Sequence, residues 1–161
     1  MFTIRAGYTD KVEIKTSLEN VVGFFSDIRN FVEMMSGIES IHTDGSGITH
    51  WKVRVDVPFI GSFKEKFAVQ LAEKNEDRIE WIPAAGERQN LLRYSAEFMP
   101  QSENSTVVQF SQHAELRRNA ARELHPLAGL AGESIISGEM NKGIAQMVRS
   151  FVRKAKEKLE K

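Results

Sequence analysis

The chain of 161 residues contains no cysteine. This excludes disulfides, thiolate metal ligands and a cysteine nucleophile, and it fits a reducing compartment. Charge of neither sign prevails, because 22 Lys and Arg offset 22 Asp and Glu. Without a basic field there is little to displace counterions from phosphate, so nucleic acid is not an expected partner. No apolar run approaches the length of a membrane span. Met1 to Asp10 also lacks the basic stretch and apolar core of a signal peptide. A cytoplasmic location is therefore expected. Asn104-Ser105-Thr106 matches a glycosylation acceptor, but it carries no weight without a secretion signal. The four histidines, His42, His50, His113 and His125, show no ligand spacing, so no metal site is expected. Neither a nucleophile elbow nor a phosphate loop is present.

What is present is an ordinary globular composition, 41% apolar and 27% charged. The length fits one domain over residues 1–161 with a real core. Tyr8 to Lys15 predicts a first strand, with Val12 and Ile14 on one face. Thr16 and Glu19 have capping-box spacing, and two helices follow near 17–26 and 28–35. From Ile38 to Leu116 the chain reads as six strands in succession. Strand two runs from Ile38 to Thr43, and Asp44-Gly45-Ser46-Gly47 supplies a hairpin turn. Strand three alternates Trp51, Val53, Val55 and Val57 with His50, Lys52, Arg54 and Asp56. Strand four shares Phe63, Phe67, Val69 and Leu71 on one face, strand five Ile79 and Trp81, and strand six Leu92, Tyr94, Ala96 and Phe98. A polar hairpin over Pro100 to Ser105 leads to strand seven, with Val108, Phe110, Ala114 and Leu116 in register. The short connections predict antiparallel pairing.

Arg117 to Pro126 reads as irregular and Leu127 to Ser137 as loosely helical, given Gly129 and Gly132. Beyond Gly138, Met140, Ile144, Met147, Phe151, Ala155 and Leu159 mark the apolar face of a long helix. Its end, Arg149 to Lys161, carries six positive and two negative charges. That suits the helix dipole and also allows transient contact with an anionic membrane.

The order strand, helix pair, six strands, long helix resembles the START-like superfamily, also called SRPBCC or helix-grip proteins. Thr49-His50-Trp51, Arg78-Ile79-Glu80-Trp81 and Phe98-Met99-Pro100 look like the bacterial polyketide cyclase/dehydrase and lipid-transport branch. Asp27 to Ile38 is similar to the passage from helix pair to strand two in those proteins. The resemblance implies an α+β fold, with a seven-stranded curved antiparallel sheet gripping the C-terminal helix around a cavity. Lipids, isoprenoids, quinones or polyketide-like compounds are the implied guests. Two features depart from the pattern: the long, glycine-containing segment Leu127–Ser137, and an end after the gripping helix without the membrane tether of some relatives. Fold analogy alone does not choose among the carriers, cyclases, hydrolases and chaperone co-factors that share it.

Glu65 falls on the apolar register of strand four, where an unpaired carboxylate costs several kcal/mol. It is therefore paired, neutral, wetted by a cavity, or at a solvated strand end. Gln112 interrupts strand seven in the same way, and its amide, which donates and accepts without charge, suits a quinone or ester carbonyl. Glu65 and Tyr94 are the candidates for acid/base and carbonyl-polarising roles, each weighed against plain structural use. The expected ligand lining is Trp51, Val53, Val55, Phe63, Glu65, Phe67, Trp81, Tyr94, Phe98, Phe110, Gln112, Ile136, Met140, Ile144 and Met147. Leu127, Leu130 and Ile135 extend it as a lid. Three functions fit: a carrier or sequestering protein for a hydrophobic small molecule, a cyclase or dehydratase, and a protein-interaction module. No cofactor is expected, and the protein is read as monomer or homodimer.

Overall fold

The computed structural model describes residues 1–58 and 60–161. In chain order the elements are β1 (Phe2–Ile14), α1 (Leu18–Ser26), α2 (Arg29–Met34), β2 (Ile38–Thr43), β3 (Thr49–Val57), β4 (Gly61–Lys74), β5 (Arg78–Pro83), β6 (Asn90–Ser102), β7 (Ser105–Arg118), a 3₁₀ turn (Ala121–Glu123) and α3 (Ala128–Leu159). The seven strands form one sheet in the order β1-β7-β6-β5-β4-β3-β2, antiparallel throughout. Strands β2 to β7 thus pair in sequence, as the short connections predict. β1 then joins the far side of β7 along its whole length.

α3 packs on the inner face of this sheet and closes its β1 edge. The amides of Arg5 and Gly7 donate to Ser137 Oγ (3.2 Å) and Asn141 Oδ1 (2.8 Å). Farther along, Lys15 N donates to Glu160 Oε2 (2.9 Å), and Lys156 Nζ donates to the Glu13 carbonyl (2.9 Å). Edge groups that would otherwise invite another strand are used up by the helix. At the opposite edge β2 has only six residues.

Several boundaries differ from the sequence reading. β1 begins at Phe2, not Tyr8, because Phe2, Ile4 and Ala6 continue the inward alternation. Ser17, not Thr16, caps α1: its hydroxyl accepts from Asn20 N, while Thr16 Oγ1 accepts from the Asn20 side chain. The final hairpin is tighter than Pro100–Ser105, since Pro100 pairs with Thr106 and Ser102 with Ser105. β7 runs on to Arg118. Leu71, expected inside, is exposed where the β4–β5 register shifts. Leu127 is the N-cap of α3 and Ala128–Ser137 its first part, and the helix breaks at Gly132 with φ 84° and ψ 163°. A positive φ of this kind favours glycine.

The inner face holds the core, and at the α1–α2 end it is aromatic. Phe31 of α2 lies 5.1–6.2 Å, centroid to centroid, from Phe151, Tyr94, Trp51 and Phe110. Phe24, Phe25 and Phe98 continue the cluster, and Trp81 stacks on Tyr94 at 5.9 Å. Offset and edge-on pairs of this kind add to the apolar burial itself.

Candidate functional site

The aromatic rings fill only one end of the space between sheet and α3. Toward the other end the inner face presents Val53, Val55, Phe67, Leu92 and Ala114, and α3 presents Met140, Ile144 and Met147. These residues line a cavity of about 310 Å³. Leu92 and Ala114 are direct cross-strand partners, so two smaller side chains meet where a ring pair would close the gap. On the α3 side Gly143 contributes no side chain, and a Cβ placed there meets nothing within 4 Å.

The mouth has a local cause. β2 pairs with β3 only as far as Ile38–Val53, and one further bond runs from Arg54 N to the Gly37 carbonyl (2.8 Å). Past that point β3 has no β2 partner. An opening is left between Arg54–Asp56, Ser36–Gly37 and the α3 residues Gly143 and Gln146. Its rim is polar and its interior apolar.

Gln112 is the polar group of the interior wall. It is 4% exposed and borders the cavity, and its Oε1 has no hydrogen-bond partner among the described residues. Its cross-strand neighbours are Tyr8 and Tyr94. The Tyr8 hydroxyl accepts from Arg149 Nε (2.9 Å), whose guanidinium lies 4.8 Å from the ring centre. The Tyr94 hydroxyl is itself without a partner among the described residues, as are Trp51 Nε1 and Trp81 Nε1. Burial pushes the Tyr94 phenol well above its ordinary value of 10.0, so it stays protonated.

Of the expected lining, Val53, Val55, Phe67, Gln112, Met140, Ile144 and Met147 border the cavity. Trp51, Trp81, Tyr94, Phe98 and Phe110 sit in the aromatic core, and Ile136 is fully buried one turn before Met140. Phe63, the cross-strand partner of Val55, packs beside His125 at 6.0 Å. Ser36, Gly37, Arg54, Asp56, Leu92, Ala114, Gly143 and Gln146 are further lining residues. The alternation that marks Tyr94 and Phe110 also contains Leu92 and Ala114, and Gly143 lies one turn from Met140 and Met147. Nothing in a pattern of twos points to Arg54 or Asp56, which border the mouth because β2 stops short.

Glu65 is not at a solvated strand end. It is 9% exposed, and its Oε2 accepts from Arg118 Nη2 (2.9 Å) and Asn90 Nδ2 (2.8 Å). Asn90 also donates to the Lys66 carbonyl, and Arg118 to the Gln89 and Arg117 carbonyls. β5 ends at Pro83, so β4 and β6 face each other across a gap there. The Glu65–Asn90–Arg118 group fastens β4 to β6 and β7 across that gap. Its carboxylate is committed to this clasp. The lid residues Leu127, Leu130 and Ile135 are exposed. A second depression, open to solvent, is walled by Arg5, Arg93, Arg117, His113 and Asn141. Its volume, about 530 Å³, is larger, but it lies in the open and its charges are partly neutralised by Glu115, which holds Arg5 (2.6 Å) and Arg117 (2.7 Å). The apolar cavity between sheet and α3 is the better candidate.

No protein-family model matches the chain. No curated protein sequence matches it either. Solved structures do. The Zhui aromatase/cyclase of Streptomyces sp. R1128 superposes with a TM-score of 0.69 at 11% identity, over 97% of this chain and 94% of that one. A protein of Deinococcus radiodurans superposes at 0.59 and 16% identity, over 99% and 98%. A START superfamily protein of Mycobacterium smegmatis superposes at 0.52 and 14% identity, over 87% and 97%. At such identities the likeness concerns the fold.

Proposed function

The chain has the START-like helix-grip fold, and we propose that it binds a hydrophobic small molecule between sheet and α3, as a carrier or sequestering protein of the cytoplasm. The observation that carries this reading is the cavity of about 310 Å³, apolar inside and polar at its rim. That volume lies at the lower end of the range for small-molecule sites, which runs from about 300 to 1,000 Å³. Apolar walls supply affinity, and the flexible thioethers of Met140 and Met147 let one wall follow the shape of a guest. Among the described residues no helix is long and apolar enough to cross a membrane.

A cyclase reading draws on the fold shared with Zhui, and the cavity chemistry gives it less support. Asp56, at the mouth, is the one carboxylate among the described residues that border the cavity, and it accepts from Ser62 Oγ. Glu65 is tied to Arg118, and Tyr94 lies in the aromatic core. The test is solvent extraction of purified protein followed by mass spectrometry, with direct titration of a panel of apolar compounds. Co-purification of an apolar compound, or saturable binding of one, is expected. If nothing co-purifies and nothing in the panel binds, the reading fails.

A further inference from the structure

The open depression on the other face of the sheet is a separate surface with a chemistry of its own. Arg5 and Gly7 of β1 and His113 and Glu115 of β7 have outward parity, opposite to Ile4, Ala6, Gln112 and Ala114. Cross-strand pairing sets His113 between Gly7 and Arg93 of β6, and Glu115 beside Arg5. A Cβ at Gly7 would lie 2.0 Å from His113 Nδ1, so only glycine lets that ring lie across β1. Gly7 has no positive φ to account for it, so its use is space. Glycine inside a strand marks close approaches of this kind.

The hydrogen-bonding character of the depression is one-sided. Glu115 is the one carboxylate among the described residues that line it, and it is spent on Arg5 Nε and Arg117 Nη2. It is also covered. Its side chain is 16% exposed, against 76% for Arg5 and 43% for Arg117, so the guanidiniums meet the solvent first. Asn141 spends its oxygen on the Gly7 amide (2.8 Å), which leaves two N–H donors. The Arg93 guanidinium is exposed and has no partner among the described residues. Three guanidiniums against one carboxylate leave two positive charges in surplus, on a surface rich in donors and poor in acceptors. The complement of such a surface is a group that only accepts and carries more than one negative charge. Guanidinium forks fit phosphate oxygens in pairs. Pro83 and Leu91 add an apolar side for the carbon part of an ester. We propose that this depression binds a phosphate group, free or carried on a small ester, with Arg93 and Asn141 as its direct donors. The Arg5–Glu115–Arg117 group forms a fixed flank.

The experiment is an amide-resolved NMR titration of the full chain at low ionic strength, where surface charge is least screened. The probes are pyrophosphate, phenyl phosphate and acetate, with sedimentation on vesicles containing phosphatidic acid as a separate arm. Saturable shifts are expected at Gly7, Arg93 and His113 with both phosphates, and at least ten-fold weaker binding of acetate. Arg93→Gln should weaken both phosphates at least ten-fold, and Arg93→Lys by less, because the charge stays and the fork is lost. Arg153→Gln, on the basic end of α3, should leave the affinity unchanged. Vesicle binding that Arg93→Gln abolishes would make a lipid headgroup the source of the phosphate. Binding of the soluble probes alone would make it a soluble ester or the free ion. Shifts confined to the end of α3, an affinity that Arg93→Gln leaves within two-fold, or no binding of any probe would each overturn the proposal. None of these results touches the apolar cavity, which is tested by extraction and apolar compounds.

Discussion

Ala114→Leu puts the cavity itself to the test, because the sign of the stability change depends on whether the space is there. Ala114 is buried on the inner face of β7, two residues from Gln112, opposite Leu92, and it borders the cavity. Leucine adds three carbons on the wall of the 310 Å³ cavity. If those carbons enter free apolar space, burial stabilises by about 0.8 kcal/mol each. Ordering the new side chain costs about 0.5–1 kcal/mol. The net is a gain of about 1–2 kcal/mol, or roughly 2–8 °C in Tm for a chain of this length. If the site is close-packed instead, the same change overpacks the core and costs about 1–3 kcal/mol. Thermal unfolding by circular dichroism reads the sign, and titration with an apolar compound that binds wild type reads the loss of room. Expected are a raised Tm and binding weakened by more than ten-fold. A Tm lowered by several degrees with binding unchanged would refute the reasoning, since it would mean that no cavity borders Ala114.

Gly143→Ala places a methyl in open space on a helix and is expected to stabilise by about 1 kcal/mol in denaturant titration. Arg118→Leu leaves the buried Glu65 carboxylate without its charge partner and is expected to cost about 3–5 kcal/mol, read by the urea midpoint. A loss below 1 kcal/mol would remove the clasp from the fold's support. Tyr94→Phe deletes a buried hydroxyl without a partner among the described residues, so stability should hold or rise slightly. The carboxyl of Asp44 is held well below its ordinary value of 3.8, first by His50 and then by Ser46 and the amides of Ser46 and Ile48. A lowered folded value means that its contribution is complete above the ordinary value and fades as the pH falls through the lowered one. Asp44→Asn should therefore lower Tm most at neutral pH and flatten the acid side of the Tm–pH profile below about pH 4, where variant and wild type converge.

The meander and the gripping helix were legible because each strand keeps a period of two and α3 a period near 3.6. Val53, Phe67, Met140, Ile144 and Met147 fall on the cavity for the same reason. Alternation names the face of a strand, but it does not say which end of that face is filled. Whether Trp51, Tyr94 and Phe110 line a cavity or pack on one another depends on Phe31 arriving from α2, a contact far away in sequence. Glu65 is a similar case. Its register places it inside, yet its partners Asn90 and Arg118 lie 25 and 53 residues away and meet it only because β5 ends early. The mouth, too, follows from the length of β2, and Arg54 and Asp56 carry outward-facing parity along β3.

Six methionines make the most direct measurement available, since Met140 and Met147 border the cavity and Met1 and Met99 lie outside its lining. With methyl-labelled methionine and an unlabelled apolar compound that binds the protein, intermolecular nuclear Overhauser contacts are expected at Met140 and Met147 and not at Met1 or Met99. Saturable binding without a contact at either cavity methionine would contradict the claim that the guest lies between sheet and α3.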